Sequence, residues 1–246
     1  MATPDYGLDA PGLVRKMGIR GALLIVAGIL VYVMNQSTNP QGGRAISSIC
    51  IAAGIALVAV ALVMIWSSKS LKLGLRDRIL NEIPWRGDEK VLDVGCGRGL
   101  FLIGAAKRLK TGRATGIDIW RPEDLSGNRA EAVLANAKAE GVGDRVKVET
   151  GDARKLPFAD RGFDVVVSSL AIHNIPDAGD REQALVEMVR VLKPGGRLAI
   201  LDIFETAKYA KALERAGMSD VKLSGISFPW CCPTRHVTAL KPEPRA

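Results

Sequence analysis

Two long runs without a charged side chain stand near the start of the chain: residues 21–34 (GALLIVAGILVYVM) and 45–66 (AISSICIAAGIALVAVALVMIW). About 20 apolar residues cross the hydrocarbon core of a bilayer, so the second run is long enough unaided. The first reaches that length when residues 17–20 join it, with Arg20 snorkelling toward the headgroups on its aliphatic stem. The pattern predicts transmembrane helices over about 17–35 and 45–66. Their connection, residues 36–44, holds Asn39-Pro40 and Gly42-Gly43, which are turn signals, and its shortness makes the helices antiparallel. Two buried core helices would give the same pattern, as would a signal peptide for the first run, but YVMNQ at 32–36 lacks a small-residue cleavage site. Ser48, Ala52 and Ala56 recur every four residues, a small-residue face on which the second helix can approach a neighbour, including a second copy of the chain in a homo-oligomer. Ala-rich membrane helices also show such spacing by chance.

Residues 67–86 change character. Leu71, Leu75, Ile79 and Ile83 share one helical side with Lys72 and Arg76 beside it, which fits an interfacial amphipathic linker or a helix packed on the domain that follows. Gly74 weakens the helix. From residue 87 onward short Val/Ile/Leu-rich runs alternate with amphipathic ones: strands at 90–94, 113–119, 145–149, 163–168 and 197–203, with helices at 100–109, 128–140, 181–192 and 207–216. Two last strands near 221–226 and 236–240, with no helix between them, form an antiparallel pair. The expected fold class is α/β, a Rossmann-like, seven-stranded, mostly parallel sheet with helices on both faces, preceded by the transmembrane hairpin. The chain divides into a membrane region (1–66), a linker (67–86) and an α/β domain (87–246).

Charge sharpens this reading. The net charge is +8, and residues 1–80 supply +5 of it, from eight Lys/Arg against three Asp/Glu. Arg15, Lys16 and Arg20 precede the first run, Lys69, Lys72, Arg76 and Arg78 follow the second, and only Arg44 lies between. The positive-inside bias then places both termini and the α/β domain in the cytoplasm, with the lipid bilayer as a partner. Residues 81–246 show no basic stripe with interleaved aromatics, so nucleic acid is not an expected partner. Cys50, Cys96, Cys231 and Cys232 have no disulfide-framework spacing, and with only two histidines no metal site is expected.

The sharpest local motif is VLDVGCGRG at 91–99, where a strand ends in Gly95, Gly97 and Gly99 and a helix begins at once. Glycines there permit positive φ and close backbone approach to a ligand. The G-x-G-x-G spacing differs from the dinucleotide fingerprint, and no Walker Gly-Lys-Ser/Thr follows. At the end of the second strand GIDI (116–119) places Asp118 where a ribose would lie, able to accept from both vicinal hydroxyls. Gly151-Asp152-Ala153 follows the third strand and Ser168-Ser169 the fourth. All four segments sit at strand carboxyl ends, where open α/β sheets bind ligands. Tight structural turns and helix caps remain the competing roles for Asp93, Asp118 and Asp152.

Residues 90–240 resemble the class I S-adenosylmethionine-dependent methyltransferases, in the branch of ubiquinone/menaquinone and sterol C-methyltransferases. The likeness rests on VLDVGCGRG, GIDI, GDARKLPFADRGFDVVVSSLAIHNI and LKPGGRLAILD. It implies S-adenosylmethionine as cofactor, S-adenosylhomocysteine as product, and no metal. It implies that Asp93 and the backbone of Gly95, Cys96, Gly97 and Gly99 hold the methionine end, that Asp118 binds the ribose and that Ile119 lies against the adenine. Asp152 would accept from the adenine amino group, the Ala153 N–H would approach the ring, and the Ser168 carbonyl would meet the methionine ammonium. KPGG at 193–196 reads as a structural turn into the fifth strand, with no chemistry assigned. The sequence departs from the family in lacking its usual lid segment and in carrying Trp120-Arg121-Pro122 where relatives place a small residue and a helix start.

His173, just past the fourth strand, falls in the loop that in relatives faces the substrate. An imidazole there can take a proton near neutral pH, or simply bond a loop carbonyl. His236, within a strand, reads as structural. FPWCCP at 228–233 is an apolar loop that lines the substrate mouth, touches the bilayer, or packs as an ordinary loop. Taken together, the expectation is an integral-membrane methyltransferase acting on a small lipophilic acceptor at the cytoplasmic face. The rivals are an enzyme modifying a membrane protein and a non-catalytic sensor that binds the cofactor.

Overall fold

The computed structural model describes residues 3–8, 10–35, 40–228 and 233–244. The connection residues 36–39 and residues 229–232 of the apolar loop lie outside it. Seven strands, β1 (Lys90–Val94), β2 (Arg113–Asp118), β3 (Val146–Thr150), β4 (Phe163–Ser169), β5 (Leu192–Asp202), β6 (Ser219–Leu223) and β7 (Arg235–Leu240), form one sheet in the order β3-β2-β1-β4-β5-β7-β6. The first five are parallel, and β7 runs antiparallel to both β5 and β6. The strand order reverses beside β1, so a crevice opens at its carboxyl end. β5 starts at Leu192, earlier than the pattern suggests, because Leu192 already pairs with Phe163.

Both faces of the sheet are covered. On one, helices α5 (Ala178–Val191) and α6 (Thr206–Arg215) bury Leu185, Met188, Tyr209 and Leu213 against Leu92, Val166 and Ile200. On the other, α3 (Leu100–Ala106) and α4 (Ala130–Ala139) bury Phe101, Leu102, Ile103 and Val133 against Val91, Val165 and Ala199.

The N-terminal hairpin comprises α1 (Pro11–Met34) and α2 (Pro40–Leu80). Pro11 starts α1 at a position that costs no hydrogen bond, so the first helix begins six residues earlier than expected and, at 1.5 Å per residue, is about 36 Å long. Both α1 and residues 41–68 of α2 are long and apolar enough to cross a membrane. Their contact uses small residues seven apart: Gly21 and Gly28 face Ser47, Gly54 and the turns between, and a Cβ on Gly54 would lie 2.6 Å from the Gly21 carbonyl oxygen. Ser48, Ala52 and Ala56 are instead exposed, so the expected small-residue face is not the one that packs within the hairpin; it is displaced by one position.

Nor are residues 67–86 a separate linker. Helix α2 runs unbroken through them to Leu80, Gly74 included, because Leu75, Ile79, Leu80 and, beyond the helix end, Ile83 enter the core against α3. Burying such side chains is worth about 1.5–3 kcal/mol each, more than the roughly 1 kcal/mol that a mid-helix glycine costs. Of the two roles open to this segment, packing on the domain is the one observed.

Candidate functional site

A cavity of about 480 Å³ lies at the carboxyl edge of the sheet. Asp93, Gly95, Cys96, Gly97, Asp118, Ile119, Asp152 and Ala153 all line one end of it. The turn after β1 is stitched to β2, the amides of Gly95 and Cys96 both donating to the Ile117 carbonyl (2.8 and 3.1 Å). Positive φ at Gly95 (70°) and Gly97 (54°) lets the backbone fold this tightly, and a Cβ on Gly95 would fall 2.2 Å from the Ala171 Cβ.

Asp118 is firmly held. Its Oδ2 accepts from the Gly97 amide (2.8 Å), and its Oδ1 accepts from the Trp120 amide (2.7 Å) and Asn128 Nδ2 (3.3 Å). A carboxylate has about four acceptor sites, so three internal bonds leave about one for a ligand, fewer than the two expected from the sequence. Asp93 is buried; Oδ2 accepts from the Leu102 amide (2.7 Å), while Oδ1 has no partner. Burial, and secondarily the nearby Asp118 charge, push its pKa up to about 8 against the Leu102 hydrogen bond. An unpartnered buried carboxylate oxygen on the wall of a Gly-rich turn fits a cationic group such as the ammonium or sulfonium of S-adenosylmethionine. Asp152 is clamped by Arg154, whose Nη2 is 2.6 Å from Oδ2 and whose Nη1 also reaches Asp180 Oδ2 (2.6 Å); hydrogen bonds from Arg154 hold the Asp152 carboxyl below its ordinary range.

Two expected residues stand back from this wall. Gly99 packs beneath it: its φ is 87°, and a Cβ there would meet Ile103 and Val133 side chains at 3.0 Å. Ser168 is fully buried with its Oγ donating to the Val94 carbonyl (2.8 Å), tying β4 to β1; the residue that reaches the cavity is Ser169. Because β4 continues one residue beyond the expected 168, the strand end, and with it the exposed position, moves to 169.

The other end of the cavity is built from remote segments. Residues 5–8 cross the domain as a strap: Asp5 and Asn136 exchange two hydrogen bonds, Tyr6 Oη donates to Glu140, Leu8 and Ser126 are paired, and Asp5 bridges Arg98 at 3.0 Å. From α2, buried Lys72 donates from Nζ to the carbonyls of Tyr6 and Gly7, both at 3.0 Å. Tyr6, Ala10, Leu13, Met64, Ser67, Ser68 and Lys72 thus line the cavity.

His173 lies on the wall between the two ends, in a single 3₁₀ turn, Ile172–Asn174. Its Nδ1 is 2.5 Å from Oδ1 of fully buried Asp202, a close contact without hydrogen-bond geometry. Asp202 is itself fixed by the amides of Ile203 (2.8 Å) and His173 (3.1 Å) and by Tyr209 Oη (3.4 Å). The Phe204 ring stands edge-on, with its centroid 6.4 Å from the imidazole's. Asp124 also lines this region; burial raises its pKa against the opposing charges of Arg121 and His173. By contrast, His236 bonds Glu82 (2.9 Å) away from the cavity. Among the described residues no group of three or more His, Cys, Asp or Glu is placed to hold a metal.

Sequence reasoning missed Asp202, Asp124, Phe204 and the strap. Asp202 had a signal, a carboxylate ending the apolar run LAILD at the carboxyl edge. The strap had none, since residues 5–8 carry no periodicity.

The comparisons with known proteins agree with this geometry. A family described as methyltransferase domain matches residues 92–200. The chain is 37% identical over 131 residues to the 27-O-demethylrifamycin SV methyltransferase of Amycolatopsis mediterranei, covering 52% of this chain and 43% of that one. It is 35% identical over 128 residues to a demethylmenaquinone methyltransferase of Lactiplantibacillus plantarum, covering 52% and 50%. It thus spans about half the length, or less, of these relatives. Among solved structures, a SAM-dependent methyltransferase from Aquifex aeolicus superposes with TM-score 0.54 at 22% identity, covering 70% of this chain and 92% of that one. The [4+2]-cyclase SpnF does so with TM-score 0.58 at 19% identity, covering 70% and 81%. A fold shared with a cyclase carries no activity by itself; the methyltransferase-domain match over residues 92–200 falls on the stretch that holds the strand-end motifs from Asp93 to Ser169.

Proposed function

We propose that this protein is an integral-membrane methyltransferase that acts on a small lipophilic acceptor whose nucleophilic atom arrives protonated. The observation that carries the reading is the composite cavity, with strand-end motif residues at one end, residues 64–72 of the apolar helix α2 at the other, and His173 between them. In this reading Asp93 and the 95–97 backbone hold the methionine end of the cofactor, Asp118 takes one ribose hydroxyl, Ile119 and Ala153 flank the adenine, and Asp152 accepts from its amino group. Ser169 takes the place foreseen for Ser168. The bound cofactor supplies an already activated methyl group, so the protein's task is alignment and exclusion of water.

His173 serves as the base. Asp202 presses on Nδ1 and fixes the ring, leaving Nε2, on the far side of the ring, to accept the acceptor's proton, while the imidazolium so formed is stabilised by the buried carboxylate. The strap and α2 close the site against water. The relatives named for demethylmenaquinone and 27-O-demethylrifamycin SV favour a quinone-like acceptor. Residues 11–34 and 41–68 span the bilayer, and the charge bias orients both termini and the domain to the cytoplasm. A tag or label at Gln41 is then reachable from outside and one after Glu243 is not.

The test is to incubate the full-length protein in native membranes with methyl-labelled cofactor and separate lipids from proteins. Label in a lipid-soluble small molecule is the expected outcome. Label confined to protein side chains would replace the acceptor class, and no transfer with intact cofactor binding would make the protein a sensor.

A further inference from the structure

Among the described residues of the α/β domain, three large apolar side chains are the most exposed. Phe204 is 58% exposed, Ile226 61% and Phe228 69%. Exposed apolar clusters on a soluble domain mark an interaction surface, and here the fold brings the three together. Phe204 lies two residues past Asp202, which pairs with Arg235 at the start of β7. Ser227, between Ile226 and Phe228, bridges Thr234, the residue just before β7. Phe204 and the 226–228 segment therefore occupy the same carboxyl edge of the sheet, about two strand spacings or roughly 10 Å apart.

That edge is also where the apolar part of α2 meets the domain. Met64, Ser67 and Ser68 line the same cavity as Phe204, and Trp66, 58% exposed, ends the charge-free run at the level where aromatic side chains anchor in membrane interfaces. From there α2 continues along the domain to Leu80, with Glu82 meeting His236 of β7. The apolar span of α2 therefore joins the domain beside this edge.

We propose that the carboxyl edge of the sheet is a bilayer-docking surface, with Phe204, Ile226 and Phe228 inserted at the headgroup level beside the exit of α2. This rests on the reading of residues 41–68 as a membrane span and adds to it the orientation of the domain. The cavity mouth then faces lipid, and an apolar acceptor enters between α1, α2 and Phe204 without crossing water. Insertion to the acyl boundary is how interfacial apolar side chains are accommodated.

The test uses the full-length protein in phosphatidylcholine/phosphatidylglycerol nanodiscs, with the photoreactive residue p-benzoylphenylalanine placed singly at Ile226, Phe228, Val63 or Glu214. Val63 is an exposed position of the span, and Glu214 is exposed at the end of α6 remote from this edge. None of the four lines the cavity. Irradiation should add the mass of one phospholipid at 226, 228 and 63 and none at 214. Lipid adducts at 63 with none at 226 or 228 would overturn the docking surface alone. Absence of adducts at 63 as well would overturn the membrane span on which it stands. Adducts at all four would mean indiscriminate capture and equally contradict a defined docking edge.

Discussion

The cofactor end of the cavity is assembled at the carboxyl ends of β1, β2 and β3, from the last residues of these strands and the turns that follow them. The end assigned to the acceptor draws on residues 6, 10, 13, 64, 67, 68 and 72, joined to the domain by hydrogen bonds between remote positions, as from Tyr6 to Glu140, 134 residues apart. One end is fixed by local geometry that strand ends impose; the other exists only once the hairpin has docked. Cofactor binding and acceptor handling should therefore respond separately to mutation, which makes the contrast testable.

The largest effect is expected at the boundary. His173→Ala should lower turnover by about 100-fold or more, the lower end of what a positioned base contributes, while S-adenosylhomocysteine affinity stays nearly unchanged. Steady-state kinetics beside calorimetry separates the two, and turnover at the wild-type level would leave the histidine a structural role. Asp202→Asn should act in the same direction, because the carboxylate that fixes the imidazole is lost.

Next comes the cofactor end. Asp118→Ala removes a carboxylate whose hydrogen bonds are worth about 1.5–3 kcal/mol, so S-adenosylhomocysteine binding should weaken by roughly 10-fold to 150-fold. Asp118 also holds the Gly97 and Trp120 amides, so a melting curve must accompany the titration. Unchanged affinity in a folded variant would remove the ribose assignment and erase the contrast between the two ends.

The smallest effect concerns Asp93. With its pKa pushed up to about 8 by burial, the folded protein holds a proton there at neutral pH that the unfolded chain, with an ordinary carboxylate near 3.9, has released. The contribution to stability is present in full below about 4 and is lost as pH rises through about 8. A cationic ligand beside Oδ1 favours the charged carboxylate and should expel that proton. Calorimetry of S-adenosylmethionine binding near pH 7 in buffers of different ionisation enthalpy should register proton release, absent in Asp93→Asn. Equal apparent enthalpies in all buffers for the wild type would place the cofactor's charge elsewhere.

The same contrast explains what could be read from the sequence. Strand-end motifs are short-range: a buried strand needs consecutive apolar residues, and the Gly-rich turn that follows shows its purpose in its composition. Hence all of the expected cofactor residues except Gly99 and Ser168 are on the cavity wall. Those two stand back from it for local reasons, an extra residue in β4 and the packing of Gly99 against Ile103 and Val133. The course of α2 past residue 66 was ambiguous because one amphipathic pattern serves a bilayer surface and a protein surface equally. The strap was invisible because Asp5, Tyr6 and Gly7 make their contacts largely through backbone atoms and side chains of distant elements, which leave no spacing signature.

The central claim is that a membrane-hairpin helix forms the wall that receives the acceptor. The most direct measurement places bulk on that wall: Ser68→Trp in α2, 25 positions before Asp93 in the sequence but facing the same cavity, assayed for S-adenosylhomocysteine affinity and for methyl transfer to the membrane acceptor. The account predicts near-normal affinity with transfer largely lost at all acceptor concentrations. Undiminished transfer by the folded variant would contradict it.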